Sequence, residues 1–483
     1  MIFFKLKKNI LFRKYSDFGY LADNFMFGYR ALNDSSPVLP EKYVSLSGAV
    51  MLELLSREFQ SLDVIVEKLL NIFVDVDYLE LKQDILDFFM LLVNEGYLNC
   101  SESDEMDTDI IDNFQTKSCD DNQINKNFAF NNIEPVTNGI DSINLQNNFL
   151  RSIHVEITNV CNEYCVHCYF PSERINVLMK ADVFEKIILE GRKMNIINVT
   201  LSGGEPLTHP NFIGFLKMCR ELDLSVNVLT NLTLLTDEIV SEMRKNPLLS
   251  VQTSIYSMDV EVHDSITHLS GSLEKTKTAV SKLIQANIPV QISCPVMKQN
   301  KDSFVDVVHW SETKNLPVLV NYTIFATYDH SNSNLVNRLS PSEIAEAFAS
   351  QLSTDYIKYF RNNAIKKCAL SGDVPICTVC RYYFCISATG DVFPCVGWQN
   401  KILGNINKIS LEEIWEKSAQ IQYLRQIKWK DFPKCLHCKD RGYCTVCMMK
   451  NANENVDGDI FRINDFHCKV AEKIHAKIDT WLE

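Results

Sequence analysis

No run of apolar residues in this sequence is long enough to span a bilayer. No basic lead with a short apolar core and a small-residue cleavage site opens it, and no segment gathers basic residues. The first two absences exclude an integral membrane protein and set the expectation of a cytoplasmic one. The third, with 48 Lys and Arg against 61 Asp and Glu and a net charge of −13, argues against a nucleic-acid partner. The opening MIFFKLKKNILFRKY breaks its hydrophobics with lysines and reads as a strand or an exposed lead-in. Cysteine is what the chain has in excess, with 17 in 483 residues. Without an export signal, so many thiols read as metal ligands rather than disulfides.

Cys161, Cys165 and Cys168 stand in VEITNVCNEYCVHCYF, spaced C-x3-C-x2-C. Three thiolates on one short loop can hold three irons of a cubane cluster and leave the fourth open, whereas structural zinc or a closed cluster takes four protein ligands. A partial zinc site completed by His167 or a distant ligand is the other reading of these cysteines. Upstream, Ile153, Val155 and Ile157 alternate as a strand, which puts the cysteines at a strand's C-terminal end, where barrel folds build active sites. A second apolar strand ends in LSGGEP, residues 201–206.

Together, the cysteine loop, Tyr169 directly after it and Gly203-Gly204-Glu205-Pro206 resemble the radical S-adenosylmethionine (SAM) enzymes. The resemblance implies that the open iron of a [4Fe-4S] cluster chelates SAM, whose reductive cleavage gives a 5′-deoxyadenosyl radical that removes a hydrogen from the substrate. It sets the backbone of the glycine turn against the methionyl amine, where a side chain would block approach. It also gives Asn231 in VLTN and Ser254 in VQTSIYS contacts with the SAM ribose and carboxylate; the plainer reading of both is as turn residues. His263 and Asp264, in the loop after the fourth strand, read as surface or packing residues.

Residues 149–335 alternate strands at 153–158, 197–202, 225–230, 250–255, 289–297 and 317–324 with helices at 182–194, 211–222, 236–245, 271–286 and 302–313. Alternation implies parallel strands with right-handed crossovers. The fold class is therefore α/β: a partial (β/α)6 barrel, preceded by a winged-helix-like α+β module and followed by a cysteine-rich domain. Residues 1–100 form the module, with strands whose Asp17, Gly19 and Asp23-Asn24 suit turns, then helices near 46–56 and 62–73 and a last helix whose apolar face is Ile85, Phe88, Phe89 and Leu92. Glu67, Asp75, Asp77, Glu80, Asp84 and Asp87 disfavour DNA binding by the helical half. The module resembles the PqqD-like domains that recognise peptide leaders, which implies that a leader adds a strand to a small sheet; a purely structural helical cap is the alternative. Residues 101–148 are acidic and polar and read as a flexible tether spanning about 40 Å, in which Cys119 is a plain thiol.

Residues 336–376 bridge the barrel to the cysteine-rich end, starting with a capping box at Ser340-Pro341-Ser342-Glu343. CTVCRYYFCISATGDVFPC, LGNINKISLEEIW and CLHCKDRGYCTVC in residues 377–470 resemble the SPASM extension of radical SAM peptide-modifying enzymes; residues 471–483 read as a final helix. By that resemblance Cys377, Cys380, Cys395 and Cys447 hold one auxiliary [4Fe-4S] cluster, and Cys435, Cys438, Cys444 and Cys468 hold a second. The gap between Cys444 and Cys447 is one residue shorter than the family's usual C-x3-C, and Cys385 in YYFCIS is either a further ligand or a core thiol. Zinc ribbons also use C-x2-C pairs, though with longer gaps than that between Cys438 and Cys444.

The expected function is modification of a ribosomally made precursor peptide, bound through its leader, by hydrogen abstraction and thioether cross-linking. A flavodoxin or ferredoxin is the expected reductant. Carbon–carbon or carbon–oxygen macrocyclisation is the alternative, as is α-carbon epimerisation with Cys294 as a hydrogen donor if it faces the barrel lumen. Sulfatase-type maturation leaves the N-terminal module unused, and a zinc-stapled adaptor leaves Cys161, Cys165, Cys168 and GGEP unexplained.

Overall fold

The computed structural model describes residues 1–102, 148–171, 173, 176–351 and 354–482; Cys119 and residues 103–147 of the expected tether lie outside them. The chain begins with β1 (Phe3–Leu6), β2 (Ile10–Lys14), β3 (Phe18–Asp23) and β4 (Lys42–Ser45). A helix at Leu46–Leu52, β5 (Gln60–Ser61), helices at Leu62–Leu70 and Tyr78–Asn94, and β6 (Leu98–Ser101) follow. Ser45 starts the first helix by accepting from the Gly48 amide, and Asp77 starts the third by accepting from Leu79 and Glu80.

The strands form two small sheets rather than the single one expected, ordered β5-β1-β6 and β2-β3-β4. The opening segment is no exposed lead-in, since β1 is the central strand of its sheet and Phe4 is wholly buried. Gly19 was expected in a turn but lies inside β3. A Cβ there would stand 2.7 Å from Val44 Cγ2 and 2.8 Å from Ala49 Cβ, so its absence lets the first helix close on the sheet.

The six expected barrel strands are β7 (Ser152–Thr158), β8 (Asn198–Gly203), β9 (Ser225–Leu229), β10 (Leu249–Ser254), β11 (Val290–Pro295) and β12 (Val318–Asn321), each parallel to its neighbours. Their apolar residues, among them Ile153, Val155, Val199, Val226, Val251 and Ile292, pack in the main core with the crossover helices. The alternate positions are polar: His154 meets Ser202, and Gln252 meets Gln291. Cys294 shares the core with Val290 and Ile292, away from that polar face, as a buried thiol.

Within the barrel one helix was not expected from the sequence, at Val260–Thr267, and it turns the loop carrying His263 and Asp264 into a packing unit. Asp259 caps it, and Asp264 accepts from the Gly271 and Leu273 amides and the Ser272 hydroxyl. The capping box at Ser340 forms as expected. The last helix runs Asp465–Leu482, starting earlier than expected and so including Cys468.

Beyond the barrel the sheet does not stop. β13 (Tyr383–Ile386) lies parallel beside β7, and β14 (Asp391–Phe393) and β15 (Gly404–Asn405) add antiparallel, giving one nine-stranded sheet from β12 to β15. At the other end of the strands, β2 and β3 dock beneath the barrel. Arg13, 1% exposed, donates to the carbonyls of Ile196 and Asp223; Asn195 donates to Lys14, and Asn227 to Phe27. Leu11, Tyr20 and Ala22 share a core with Ile197 and Leu248, the residues just before β8 and β10.

Candidate active site

The three cysteines follow β7 directly, and the turn after β8 holds their loop in place. The Gly204 amide donates to the Thr158 carbonyl and the Glu205 amide to Val160, each at 2.8 Å. A Cβ on Gly203, whose φ is +134°, would stand 1.9 Å from the Thr158 oxygen; one on Gly204 would stand 2.3 Å from that of Val160. Glycine is thus required by the cysteine loop itself, a nearer constraint than the bound methionine expected from the sequence.

Glu205 fastens a third strand end to this turn. Its carboxylate accepts from the Leu207 amide at 2.9 Å, the Thr230 hydroxyl at 2.6 Å and the Asn231 amide at 2.7 Å. Burial pushes it up to about 7 despite these bonds. Pro206 begins the short helical turn that follows. The Asn231 side chain donates to Asn162 in the cysteine loop at 3.0 Å, while Asn334 donates to the Cys168 carbonyl and Asn337 to that of Val166. Every flank of the loop is therefore held by a side-chain amide or a strand end.

Around the sulfurs, the Glu163 amide approaches Cys161 Sγ at 3.5 Å, and the Cys165 thiol approaches the Glu163 carboxylate at 3.4 Å. The Tyr256 hydroxyl donates toward Cys165 Sγ from 3.8 Å. Burial pushes the Cys161 thiol up to about 12 and Cys165 well above its ordinary value. A bare thiolate is costly there, whereas the positive charge of iron would stabilise it. Among the described residues no three His, Cys, Asp or Glu side chains converge on a single-ion site. The ligands of a cubane sit on different irons and need not converge so tightly. His167, the candidate fourth zinc ligand, sets its ring edge-on to Tyr256 at 5.1 Å.

Tyr169 is stacked on Phe325 at 5.6 Å, which in turn abuts Gly397 of the cysteine-rich region. The wall between the two regions also carries Glu156, 2% exposed on β7 and bonded to Gln399. Cys377, Cys380, Cys395 and Cys447 lie close enough for their charges to interact. Cys385 neighbours Cys395 and Glu156, on the face of β13 opposite the core residues Phe384 and Ile386. Cys435, Cys438, Cys444 and Cys468 line a cavity of about 120 Å³ with Trp429, and Cys447 lines it too. The shortened spacing after Cys444 therefore leaves Cys447 beside both cysteine groups. Sulfur-rich donor sets of this kind suit iron–sulfur clusters.

Sequence reasoning missed Tyr256, Tyr383, Glu163 and Glu156. Only Glu156 carried a signal, a charge between the apolar residues of a buried strand.

The Radical SAM superfamily model matches residues 155–311, and the SPASM iron–sulfur cluster-binding domain matches residues 377–439. The chain is 27% identical over 334 residues to an AdoMet-dependent heme synthase of Methanosarcina barkeri (strain Fusaro / DSM 804), covering 61% of this chain and 93% of that protein. It is 23% identical over 305 residues to a PqqA peptide cyclase of Granulibacter bethesdensis (strain ATCC BAA-1260 / CGDNIH1), covering 59% and 79%. Its fold resembles Streptococcus suis SuiB, solved with the precursor peptide SuiA, with a TM-score of 0.59 at 15% identity over 96% of this chain and 99% of that one. Among the described residues no helix is long and apolar enough to cross a membrane. With its two matched domains, SAM, a SAM-binding [4Fe-4S] cluster and auxiliary iron–sulfur clusters as cofactors, the chain is a radical SAM enzyme with a SPASM extension.

Proposed function

We propose that this enzyme modifies a ribosomally made precursor peptide, removing a hydrogen from it and closing a cysteine-to-carbon thioether. The observation that carries the reading is the joining of a radical SAM barrel and a SPASM extension to a module of two three-stranded sheets and three helices with an open sheet edge. Similarity to proteins named for peptide substrates, PqqA peptide cyclase and SuiB with its precursor, supports it.

Cys161, Cys165 and Cys168 would hold the SAM-binding cluster. Cys377, Cys380, Cys395 and Cys447 would hold one auxiliary cluster, and Cys435, Cys438, Cys444 and Cys468 a second. Together with SAM, the first cluster supplies a radical able to remove hydrogen from carbon. The protein's part is to orient the peptide and exclude water. Gly203, Gly204, Glu205 and Asn231 fix the loop beside which SAM would sit, and Tyr169 closes its wall toward the auxiliary cysteines. Asn231 and Ser254, at strand ends, would contact the ribose and carboxylate of SAM.

The leader would add to β4, which among the described residues pairs on one side only, with β3. Tyr43 and Leu46 at that edge and Leu91 on the third helix expose apolar surface for its side chains. This PqqD-like use of the module puts leader and chemistry at opposite ends of the barrel strands. With about 3.3 Å of rise per residue, leader contact and modified residue would stand on the order of ten residues apart. A flavodoxin or ferredoxin would supply electrons in the cytoplasm.

A carbon–carbon or carbon–oxygen macrocycle is the second reading, favoured by the similarity to PqqA peptide cyclase. Epimerisation has lost its candidate donor, because Cys294 packs in the core. Co-expression with a short peptide encoded beside the gene, followed by tandem mass spectrometry, tests the proposal. A thioether appears as loss of two hydrogens with a cysteine that no longer alkylates. The same loss with an alkylatable cysteine selects the macrocycle, and an unaltered peptide overturns both.

A further inference from the structure

Each of two cysteines assigned above to different clusters receives a tyrosine hydroxyl. Tyr256 reaches Cys165 Sγ at 3.8 Å, and Tyr383 reaches Cys395 Sγ at 3.4 Å. We propose that these two hydroxyls are positioning residues that set the reduction potentials of the SAM-binding cluster and of one auxiliary cluster. The inference rests on the ligand assignment of the proposed function.

Tyr256 is built for one orientation. It is 4% exposed, and its ring lies between His167 at 5.1 Å and His263 at 5.3 Å. His263 is itself steadied by a 3.0 Å bond between Nδ1 and the Ser272 hydroxyl. The Tyr256 carbonyl accepts from Asn300 at 2.7 Å, which fixes the main chain. The Tyr256 hydroxyl donates toward the Cys165 sulfur. Tyr383 has its own frame, in β13 beside β7, with its hydroxyl directed at Cys395. These contacts give the buried His263 a purpose.

A donor to a cluster sulfur stabilises the more electron-rich, reduced state more than the oxidised one, and so raises the potential. In a water-excluded pocket the effect is not diluted by solvent. Removing either hydroxyl should therefore move its own cluster to a more negative potential and leave the others alone.

The test is an anaerobic redox titration of the reconstituted full chain, followed by electron paramagnetic resonance, with the signal that changes on adding SAM marking the SAM-binding cluster. For Tyr256→Phe, a more negative midpoint of that signal is expected at unchanged iron content. For Tyr383→Phe, an auxiliary signal should move the same way while the SAM-responsive one stays. An unmoved midpoint in an iron-replete variant overturns the role of that tyrosine. Should a Phe variant load iron poorly, the unaltered enzyme in D2O provides a second readout: an exchangeable deuteron coupled to the cluster is expected, and its absence overturns the proposal. Cys165→Ala and Cys395→Ala address the ligand assignment separately. Unchanged iron and cluster signals in those variants would sink the assignment, whatever the tyrosines do.

Discussion

Glu156 carries a cost that pH can expose. It is buried in the barrel wall, with Oε1 unpartnered among the described residues, and burial pushes its carboxyl up to about 8 from an ordinary 4.5. Folded protein therefore binds a proton that the unfolded chain has already released. Stability from this group is complete below about 4.5 and is lost as pH rises through about 8, by up to ~1.4 kcal/mol per unit between them. Glu156→Gln should flatten that slope in melting curves taken from about pH 5 to pH 8; parallel slopes for variant and parent would refute it. Changing Cys161, Cys165 and Cys168 together to Ala should abolish 5′-deoxyadenosine formation while sparing most auxiliary iron, and normal SAM cleavage by that variant would end the assignment. The cysteine loop could be read from sequence because cluster ligation imposes a local spacing on contiguous residues. Tyr256 could not, because its role comes from a sulfur 91 residues away.

The turn after β8 was also readable, but for a different reason than the one that governs it. LSGGEP marks a tight turn in sequence, and only the fold reveals that the Thr158 and Val160 carbonyls occupy the space of two missing side chains. Gly203→Ala should thus displace the cysteine loop and lower bound iron by about one cluster's worth, roughly four irons, at intact auxiliary absorption; full iron retention would contradict the close approach. The barrel strands were legible because each alternates or runs apolar between breakers. The helix at Val260–Thr267 escaped because it is short and its start signal, Asp259, follows a strand end already read as loop. Gly19 misled for the converse reason, since its partner surfaces come from a strand and a helix later in the chain.

Iron near twelve per chain is expected after anaerobic reconstitution; about four with stoichiometric zinc would mean the C-terminal cysteines bind zinc instead. The N-terminal module is bound to the barrel by direct contacts. Arg13 donates to carbonyls of two barrel loops, so Arg13→Ala should cost about 2–4 kcal/mol and speed proteolysis of the module, as limited trypsin digestion would report. No sequence pattern announced this interface, because docking a strand pair under a barrel depends on surfaces that alternation alone does not distinguish.

The unbroken sheet from β12 to β15 has a further meaning. Two packed domains can open like jaws, but strands that share a ladder of hydrogen bonds cannot part without tearing it. The cysteine loop after β7 and Cys395 after β14 are therefore two marks on one rigid rule. Pulsed dipolar spectroscopy of the paramagnetic centres they carry should return a single narrow separation, the same with or without peptide. A peptide that reaches the space between them has to fit a separation that the shared ladder holds fixed.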